Sequence, residues 1–296
     1  MERIAFYGKG GIGKSTIATS ASLILARQNQ RVLHVGCDPK HDSSLVLVKD
    51  PNQFKTVVDQ IVAGKEDLDP EDLIMEGIDG IHCVESGGPQ AGRGCGGRAV
   101  SRSFEIFEEV ELVDSDLYDM VIYDVLGDVV CGGFAAPMRR SARSKVVVVL
   151  SEEMMAAYAA NRIAAAVTQF KSNGIVLAGL VVNLKNNQAD LTPIARFADA
   201  INTTILGVIP RDPLVCEAEL YRQSIVDYAP SSPVAVAIAS IVHNVRQLDR
   251  AACTTPTPLL DHKVREIMRG FVPDAPLPAP PAPETRISKV TSWSTI

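Results

Sequence analysis

The stretch that decides the fold is Gly8-Lys9-Gly10-Gly11-Ile12-Gly13-Lys14-Ser15-Thr16, and it directly follows the apolar run Arg3-Ile4-Ala5-Phe6-Tyr7. It fits the pattern G-x-x-x-x-G-K-[ST], which forms a phosphate-binding loop between a strand and a helix. The four glycines let backbone N–H groups turn toward an anion, and the following helix presents its positive N-terminal end. Lys14 can reach the β- and γ-phosphates, and the Ser15 hydroxyl can bind Mg²⁺. The stretch from Gly8 to Thr16 therefore predicts a site for a nucleoside triphosphate and its Mg²⁺.

Short apolar runs alternate with longer helical stretches along the chain. The predicted strands are residues 4–7, 32–35, 120–123, 146–150, 175–182 and 204–209. The predicted helices include residues 15–28, 152–171, 192–200 and 234–248. Nearly continuous apolar runs are typical of parallel strands that are covered on both faces. Strands that alternate with helices therefore predict an α/β fold, with a mostly parallel sheet wrapped by helices in a single domain.

The last residues differ in composition from the rest. Proline occupies nearly every second position at the start of residues 273–296, a segment that also carries the only tryptophan, Trp293. Such a composition favours an extended chain and cannot build a packed core. We therefore expect a nucleotide-binding domain over residues 1–272 and a flexible tail over residues 273–296, with a partner-docking peptide as the alternative for the tail.

The composition narrows the class of protein. The chain has 296 residues, of which 46% are hydrophobic, and a formal net charge of −6. A nucleic-acid surface needs clustered basic residues, which this charge argues against. No run of about 18 apolar residues predicts a transmembrane helix, and the first residues lack the pattern of a signal peptide. We expect a cytoplasmic protein that binds neither nucleic acid nor membrane.

Six cysteines are spread over more than 200 positions. In the cytoplasm they should be reduced, so disulfides are not expected. Most of them are expected to be buried small hydrophobic residues, which is the usual role of a free cysteine. The cysteines are Cys37, Cys83, Cys95, Cys131, Cys216 and Cys253.

Two further predicted strands are followed by an aspartate. Asp38 follows the strand at residues 32–35, and Asp124 follows the strand at residues 120–123. Because parallel sheets gather ligands at the carboxyl ends of their strands, both carboxylates are expected near the phosphate-binding loop. Asp124 suits the acid that holds Mg²⁺ through water, with Gly127 as a hinge, and Asp38 is a candidate for activating the attacking water. Each could instead be an ordinary turn or helix-cap aspartate.

Lys9, directly after the first glycine of the loop, adds a second cation. With it the loop resembles that of the deviant Walker A subgroup of P-loop ATPases. In that subgroup the second lysine reaches across a dimer interface to the nucleotide of the other subunit. The resemblance therefore implies a homodimer that closes on ATP, whereas a solvated loop lysine is the alternative.

A cysteine stands directly before two glycines at two places, Cys95-Gly96-Gly97 and Cys131-Gly132-Gly133. Flanking glycines let backbone N–H groups approach the sulfur closely, and such contacts tune iron–sulfur clusters. A [4Fe–4S] cluster needs four thiolates, of which one chain would supply two. The homodimer implied by Lys9 would supply the other two, so we expect one cluster per dimer, shared between the subunits.

Several motifs together resemble the nitrogenase iron protein family, from about Arg3 to Phe271. They are GKGGIGKST, GCDPKHDS, CVESGGP, GCGGR, YDVLGDVVCGGF, EMMAAYAANRI and VIPRD. The resemblance implies an ATP-dependent, ATP-hydrolysing electron carrier, reduced by a low-potential ferredoxin or flavodoxin, that passes electrons singly from a [4Fe–4S] cluster to a catalytic partner. It also implies that Asn183 and the segment Pro210-Arg211-Asp212 hold the adenine and ribose. Arg98 matches a docking-surface arginine that some bacteria modify by ADP-ribosylation.

Some residues depart from the standard pattern of that family. Arg139-Arg140 replaces an Arg-Glu pair, which reverses a charge beside the cluster, and Cys216 stands where glutamine is common. Because docking surfaces match their partners electrostatically, the reversed charge suggests a partner other than nitrogenase. These departures favour the reductase component of methylthio-alkane reductase, with the iron protein of nitrogenase itself as the alternative.

Two other classes remain as rivals. Partition and division-site positioning ATPases share the deviant loop, but they need a basic surface or an amphipathic C-terminal helix and have no use for two Cys-Gly-Gly sites. An iron–sulfur carrier that hands clusters to other proteins usually shows a close cysteine pair, which this chain lacks. Both patterns favour the electron-carrying reductase.

Overall fold

A computed structural model describes residues 1–65, 67–90, 93–114, 116–127, 133, 135–140 and 143–269. Within these residues the chain forms one sheet of eight strands surrounded by helices. The strands are β1 (Glu2–Tyr7), β2 (Val32–Cys37), β3 (Met75–Glu76), β4 (His82–Glu85), β5 (Met120–Val125), β6 (Lys145–Leu150), β7 (Val176–Asn183) and β8 (Ile205–Ile209). The helices are α1 (Lys14–Arg27), α2 (Val57–Val62), α3 (Pro70–Leu73), α4 (Gly96–Glu109), α5 (Ala136–Arg140), α6 (Met154–Gln169), α7 (Thr192–Ala200), α8 (Leu214–Leu220), α9 (Ile225–Tyr228), α10 (Pro233–Gln247) and α11 (Asp261–Met268).

The sheet order brings the motif-bearing strands together. The order is β3-β4-β2-β5-β1-β6-β7-β8, and every pair is parallel except β3 with β4. In the register of the central strands, Asp124 of β5 lies beside Phe6 of β1 and Gly36 of β2. The carboxyl ends of these three strands therefore share one edge of the sheet, and the chain that follows each of them starts there.

Apolar burial on both faces holds the sheet in place. Every residue of β2, β5 and β6 is buried, as expected for parallel strands covered by helices. Helix α1 packs against β2, β5 and α10, whereas α6 packs against β6, β7 and α11. These contacts fix the start of α1, and with it the end of the phosphate-binding loop, above the central strands.

The predicted α/β fold is confirmed, and all six predicted strands are present with bounds shifted by one or two residues. The strands β3 and β4 were not predicted, because they have two and four residues and β4 carries His82 and Glu85. Helix α4 was also missed, since it begins with two glycines, which favour helix weakly. The division into residues 1–272 and a tail stays a prediction, because residues 270–296 lie outside the described part.

Burial of the cysteines differs from the expectation. Cys37 and Cys83 are buried, as predicted, but Cys95 and Cys216 are exposed and Cys253 is half-buried. The expectation that most cysteines are buried is therefore wrong for the described ones. In the part of the chain that the structure describes, no helix is long and apolar enough to cross a bilayer.

Candidate functional site

The phosphate-binding loop runs from the end of β1 to the start of α1. Gly8, Gly11 and Gly13 have φ of 145°, 72° and 92°, values that residues with a side chain rarely adopt. A Cβ atom at Gly8 would lie 2.0 Å from the carbonyl oxygen of Val149 on β6, so the loop also needs glycine there for space. The side chain of Lys14 is buried, and its Nζ donates to the carbonyl of Lys9 across the loop at 3.2 Å. The loop thus holds a cation where a phosphate would lie.

Asp124 lies buried at the end of β5, next to this loop. Its Oδ2 accepts a hydrogen bond from the Ser43 hydroxyl at 2.6 Å, whereas its Oδ1 is buried with no hydrogen-bond partner among the described residues. Burial raises the pKa of Asp124, and the hydroxyls of Ser15 and Ser43 and the charge of Lys14 oppose that shift. A carboxylate oxygen without a partner, close to a serine hydroxyl, is the kind of ligand set that Mg²⁺ prefers. Asp124 and Ser15 therefore fit a Mg²⁺ site.

A second buried carboxylate, Glu85 at the end of β4, was missed by the sequence reasoning. Its Oε1 accepts hydrogen bonds from the backbone N–H and the hydroxyl of Ser44, at 2.6 and 2.7 Å. Its Oε2 occupies the space that a side chain at Gly36 would fill, since a Cβ there would lie 2.0 Å from it. Burial raises the pKa of Glu85 to about 8. An acid that closes a short apolar run, the signal used for Asp124, could have found it.

Residues 38–44 connect the end of β2 to these carboxylates. Asp38 accepts a hydrogen bond from the backbone N–H of Lys40 at 2.8 Å, and Lys40 Nζ lies 3.6 Å from carboxylate oxygens of both Asp38 and Asp42. Asp38 therefore shapes the turn, and its role in activating water stays a prediction. Asp42, which the sequence reasoning did not single out, lines a cavity of about 470 Å³ together with Ser15 and Thr16.

A larger cavity, of about 710 Å³, opens beside the phosphate-binding loop. It is lined by the loop and by all the residues that the family resemblance assigned to adenine and ribose, together with Cys216. Asn183 donates to the carbonyl of Ile12 at 2.8 Å, which ties β7 to the loop. The Asn187 side chain donates to the carbonyl of Arg211 at 2.9 Å and accepts from its backbone N–H at 2.7 Å. The residues lining the cavity include Asn183, Pro210, Arg211, Asp212 and Cys216.

The first Cys-Gly-Gly site lies at the start of α4. Cys95 is exposed, has an extended backbone and is the N-cap residue of the helix, whose first turn carries the exposed Arg98. The positive end of a helix favours a thiolate and the negative charge of a cluster. Among the described residues no group of three or more potential ligands forms a metal site. The exposed Cys95 side chain is accessible to a cluster or to a second copy of the chain, and Cys131 itself lies outside the described residues.

Two glycine contacts attach the segment after β5 to both sites. A Cβ at Gly127 would lie 2.4 Å from the backbone N of Gly10 and the carbonyl O of Gly8, so Gly127 packs directly on the phosphate-binding loop. A Cβ at Gly133 would lie 1.9 Å from the carbonyl O of Gly97, so Gly133 packs directly on the start of α4. The third residues of the two Cys-Gly-Gly motifs are therefore in contact, and the chain between the two anchors contains Cys131.

Lys9, the additional lysine of the phosphate-binding loop, forms an ion pair within its own chain. Lys9 Nζ lies 4.0 Å from a carboxylate oxygen of Glu153, which Lys185 approaches at 2.8 Å. Lys9 keeps 39% of its side-chain surface exposed, so this weak ion pair leaves it accessible. Its reach to the nucleotide of a second subunit stays a prediction.

The arginine pair that departs from the family pattern lies on α5. Arg140 forms ion pairs with Glu105 and Glu108 of α4, at 3.1 and 2.5 Å. Its charge is therefore balanced within the chain, which weakens the interpretation of Arg140 as a reversed charge offered to a partner. Arg139 is exposed, and its guanidinium donates to the Ser101 hydroxyl at 3.5 Å.

Comparisons with known proteins agree with this geometry. Residues 2–272 match the family model described as 4Fe-4S iron sulfur cluster binding proteins, NifH/frxC family. A nitrogenase iron protein of Methanospirillum hungatei JF-1 is 37% identical over 277 residues, covering 92% of this chain and 97% of that relative. Among solved structures, the cell division ATPase MinD of Pyrococcus furiosus matches with a TM-score of 0.67 and 25% identity, over 84% of this chain and 100% of that one.

A ParA family ATPase of Chlorobium tepidum matches with a TM-score of 0.62 at 16% identity, over 82% of this chain and 98% of that one. These structures confirm the P-loop NTPase fold. The family match confirms the resemblance read from the motifs and supports an ATP-hydrolysing, nitrogenase-like reductase component over a partition-type ATPase. The chain belongs to the NifH/frxC family of 4Fe-4S iron sulfur cluster binding proteins, whose members bind a [4Fe–4S] cluster and MgATP.

Proposed function

We propose that the chain works as a homodimer that holds one [4Fe–4S] cluster through Cys95 and Cys131 of both subunits and delivers single electrons from it to a catalytic partner under the control of ATP. The observation that carries this proposal is the pair of glycine contacts, Gly127 on the phosphate-binding loop and Gly133 on the start of α4. When bound, the cluster supplies a low-potential one-electron carrier.

The two contacts explain how nucleotide and cluster would communicate. Six residues of extended chain span at most about 20 Å, so the anchors Gly127 and Gly133 can be no further apart. Both contacts are backbone against backbone with no side chain between them, so a shift of the phosphate-binding loop would move Gly127, the residue at which the segment begins. Loss of a γ-phosphate is a known way to release such a segment. The segment that carries Cys131 therefore responds to the nucleotide state.

The nucleotide roles follow from the positions of the side chains. Lys14 donates to the loop carbonyl of Lys9 and is available to exchange that carbonyl for phosphate oxygens. Ser15 and Asp124 are the groups that would hold Mg²⁺ directly and through water. Asp38, Asn183 and the segment at residues 210–212 keep the roles proposed from the family, which are water activation for Asp38 and contacts to adenine and ribose for the others.

The exposed face around Cys95 would meet the partner. Arg98 lies on the first turn of α4, so its guanidinium is available to an acidic surface or to ADP-ribosylation. The electron donor would be a low-potential ferredoxin or flavodoxin, and the protein would act in the cytoplasm without binding nucleic acid or membrane.

For the catalytic partner we favour a methylthio-alkane reductase over nitrogenase. The exposed Arg139 and the thiol of Cys216 in the larger cavity support a divergent partner and nucleotide site, whereas the paired Arg140 does not bear on the partner. Mixing the reduced protein and MgATP with each purified catalytic component, and measuring methane or ethylene from methylthio-alkanes against ammonia from N₂, separates the two.

The cluster assignment is tested on anaerobically purified protein. The wild type should contain about four irons per dimer and show an EPR signal when reduced, and Cys95→Ala and Cys131→Ala should each lose both. Cys253→Ala is the matched control, because Cys253 is half-buried beside Asp249 and far in sequence from either motif. A brown, EPR-active Cys95→Ala protein would remove that thiolate from the ligand set.

A further inference from the structure

A chain of hydrogen bonds runs through the buried interior from α1 to Asp124. The Ser22 hydroxyl lies 2.9 Å from Nδ1 of His34, and Nε2 of His34 lies 2.8 Å from the Ser43 hydroxyl. The Ser43 hydroxyl in turn donates to Oδ2 of Asp124 at 2.6 Å. None of these four residues is more than 3% exposed, so the hydrogen bonds lie away from the protein surface.

The direction of each hydrogen bond in this chain follows from its last member. The Ser43 hydroxyl donates its single proton to Oδ2 of Asp124, so the Ser43 oxygen must accept from His34. His34 therefore carries its proton on Nε2, and its Nδ1 accepts from the Ser22 hydroxyl. A neutral imidazole donates at one nitrogen and accepts at the other, which is what this arrangement requires. Burial lowers the pKa of His34 to about 3, which keeps the ring neutral.

His34 lies on the same side of the sheet as Asp124. It lies on β2 two residues before Gly36, and Gly36 lies beside Asp124 in the sheet. Because alternate residues of a strand face the same side, the imidazole lies on the same side of the sheet as Asp124. From there its Nε2 contacts the Ser43 hydroxyl. Without His34, the Ser43 oxygen would have no donor among the contacts described, and its hydroxyl could turn away from Asp124.

We propose that His34 is a positioning residue for ATP hydrolysis: through Ser43 it holds the Asp124 carboxylate so that Oδ1 stays turned to the nucleotide and its metal. This inference rests on the proposed nucleotide role of Asp124, and it adds a group that neither the sequence motifs nor the family model assigns.

The tautomer of His34 is a direct test that needs no activity. The protein has five histidines, so the ring ¹⁵N signals of labelled protein can be assigned by the disappearance of one set in His34→Gln. We expect the Nε2–H tautomer in nucleotide-free wild type. An Nδ1–H tautomer would reverse the direction of these hydrogen bonds, so that Ser43 donates to His34 instead of Asp124. That result would overturn the proposal.

Kinetics of MgATP hydrolysis, measured with the catalytic partner, test the consequence. His34→Leu keeps the volume but loses both hydrogen bonds, so kcat should fall about tenfold, the effect of one hydrogen bond to a charged group, with KM changed less than about twofold. The glutamine of His34→Gln can still donate to Ser43 from its amide, so the kcat of this variant should stay within about threefold of the wild-type value. Ser22→Ala is the control, because it removes the Nδ1 hydrogen bond and leaves the Ser43 side intact.

The outcomes separate positioning from packing. If Ser22→Ala lowers kcat as much as His34→Leu, or if His34→Leu hydrolyses ATP at the wild-type rate, His34 has only a structural role and the proposal fails. If His34→Leu does not fold, the kcat of His34→Gln and the tautomer of His34 still test the proposal. A tenfold lower kcat in His34→Gln would contradict rescue by an amide donor. A wild-type protein that hydrolyses no ATP would instead overturn the proposed function.

Discussion

The two ends of the segment after β5 contact regions of opposite character. The nucleotide edge consists of the loop Gly8–Thr16, which is exposed at Gly10 and Gly11, and of Ser43, Ser44, Glu85 and Asp124, which are buried and hydrogen-bonded within one chain. The cluster edge, made of Cys95, Arg98 and Gly133, is largely exposed, and the described residues form no metal site there. The carboxylates and hydroxyls of the first edge come from a single chain, whereas in the proposed function a second subunit completes the cluster edge.

This difference teaches how one chain can carry both a switch and a shared centre. A buried edge can hold charges at the energetic cost of desolvation, which makes it sensitive to nucleotide charge and to pH. An exposed edge gives up that sensitivity and gains access for a second copy and a partner. The glycine contacts at Gly127 and Gly133 join the two, so substitutions on one edge should leave the other intact or reveal their coupling.

The largest expected effect tests the buried charge at the nucleotide edge. The folded pKa of Glu85, about 8, lies above its usual value of 4.5, so the native state binds more protons than the unfolded state between these values. Glu85 therefore contributes a fall in the free energy of unfolding as pH rises from about 4.5 to about 8, by roughly 1.4 kcal/mol for each unit of the pKa shift. Buried His34, whose pKa is lowered from 6.5 to about 3, contributes a rise of similar slope up to about pH 6.5, so the fall due to Glu85 shows most clearly between about pH 6.5 and 8. Glu85→Gln should remove this fall, which urea unfolding at pH 5 to 9 measures.

The control for this variant is Glu76→Gln on β3, whose carboxylate is exposed and paired with Lys49. It should keep the wild-type slope of stability against pH. Equal slopes of stability against pH in wild type and Glu85→Gln would mean that the Glu85 carboxyl titrates normally. The nucleotide edge would then be more hydrated than its burial indicates.

The next effect separates the edges by function. Lys14→Ala removes the cation of the loop and should weaken MgATP binding about 100-fold, as expected for lost charge-assisted hydrogen bonds. Iron content should not change, but the difference in chelation rate of the iron with and without MgATP should vanish. Calorimetry and a colorimetric ferrous chelator measure both, with the exposed Lys49→Ala as control. Equal chelation rates in the wild type with and without MgATP would break the coupling of the two edges.

A matched pair of glycine variants tests the anchors. Gly127→Ala places a methyl group against the backbone of Gly8 and Gly10, and Gly133→Ala places one against Gly97. Overpacking of this kind costs about 1 to 3 kcal/mol, so the first should weaken MgATP binding about tenfold and the second should speed iron loss by a similar factor. Each variant is the control for the other. Two variants with the same pair of defects would show that the edges do not behave separately.

The smallest effect concerns the ion pairs between α4 and α5. Arg140→Gln breaks the contacts with Glu105 and Glu108, and because these groups are partly exposed it should lower stability by about 1 kcal/mol or less. Arg139→Gln, its neighbour, should leave stability unchanged and weaken partner docking instead. The opposite pattern, with docking lost only in Arg140→Gln, would restore Arg140 as the partner-facing charge.

Local patterns predicted the core of the fold and the nucleotide edge. The loop Gly8–Thr16 was predicted because a phosphate site needs consecutive residues of fixed type. Asp124 was predicted because parallel sheets gather ligands at the carboxyl ends of their strands. Glu85 closes a short apolar run and could have been found by the signal used for Asp124, but its contacts and those of His34 depend on which elements the fold brings together. Glu85 matters because Gly36 leaves a space for it, and His34 because Ser22 and Ser43 meet its two nitrogens.

By itself the sequence determined the α/β class, the phosphate-binding loop, the two Cys-Gly-Gly motifs and the family, because each depends on residues that are close along the chain. The tertiary structure alone decided which groups meet: the contact of Gly133 with Gly97, the contact of Gly127 with the loop, and the hydrogen bonds from Ser22 to Asp124. These contacts depend on strand order and on close packing between segments distant in sequence, and neither periodicity nor motif spacing encodes them.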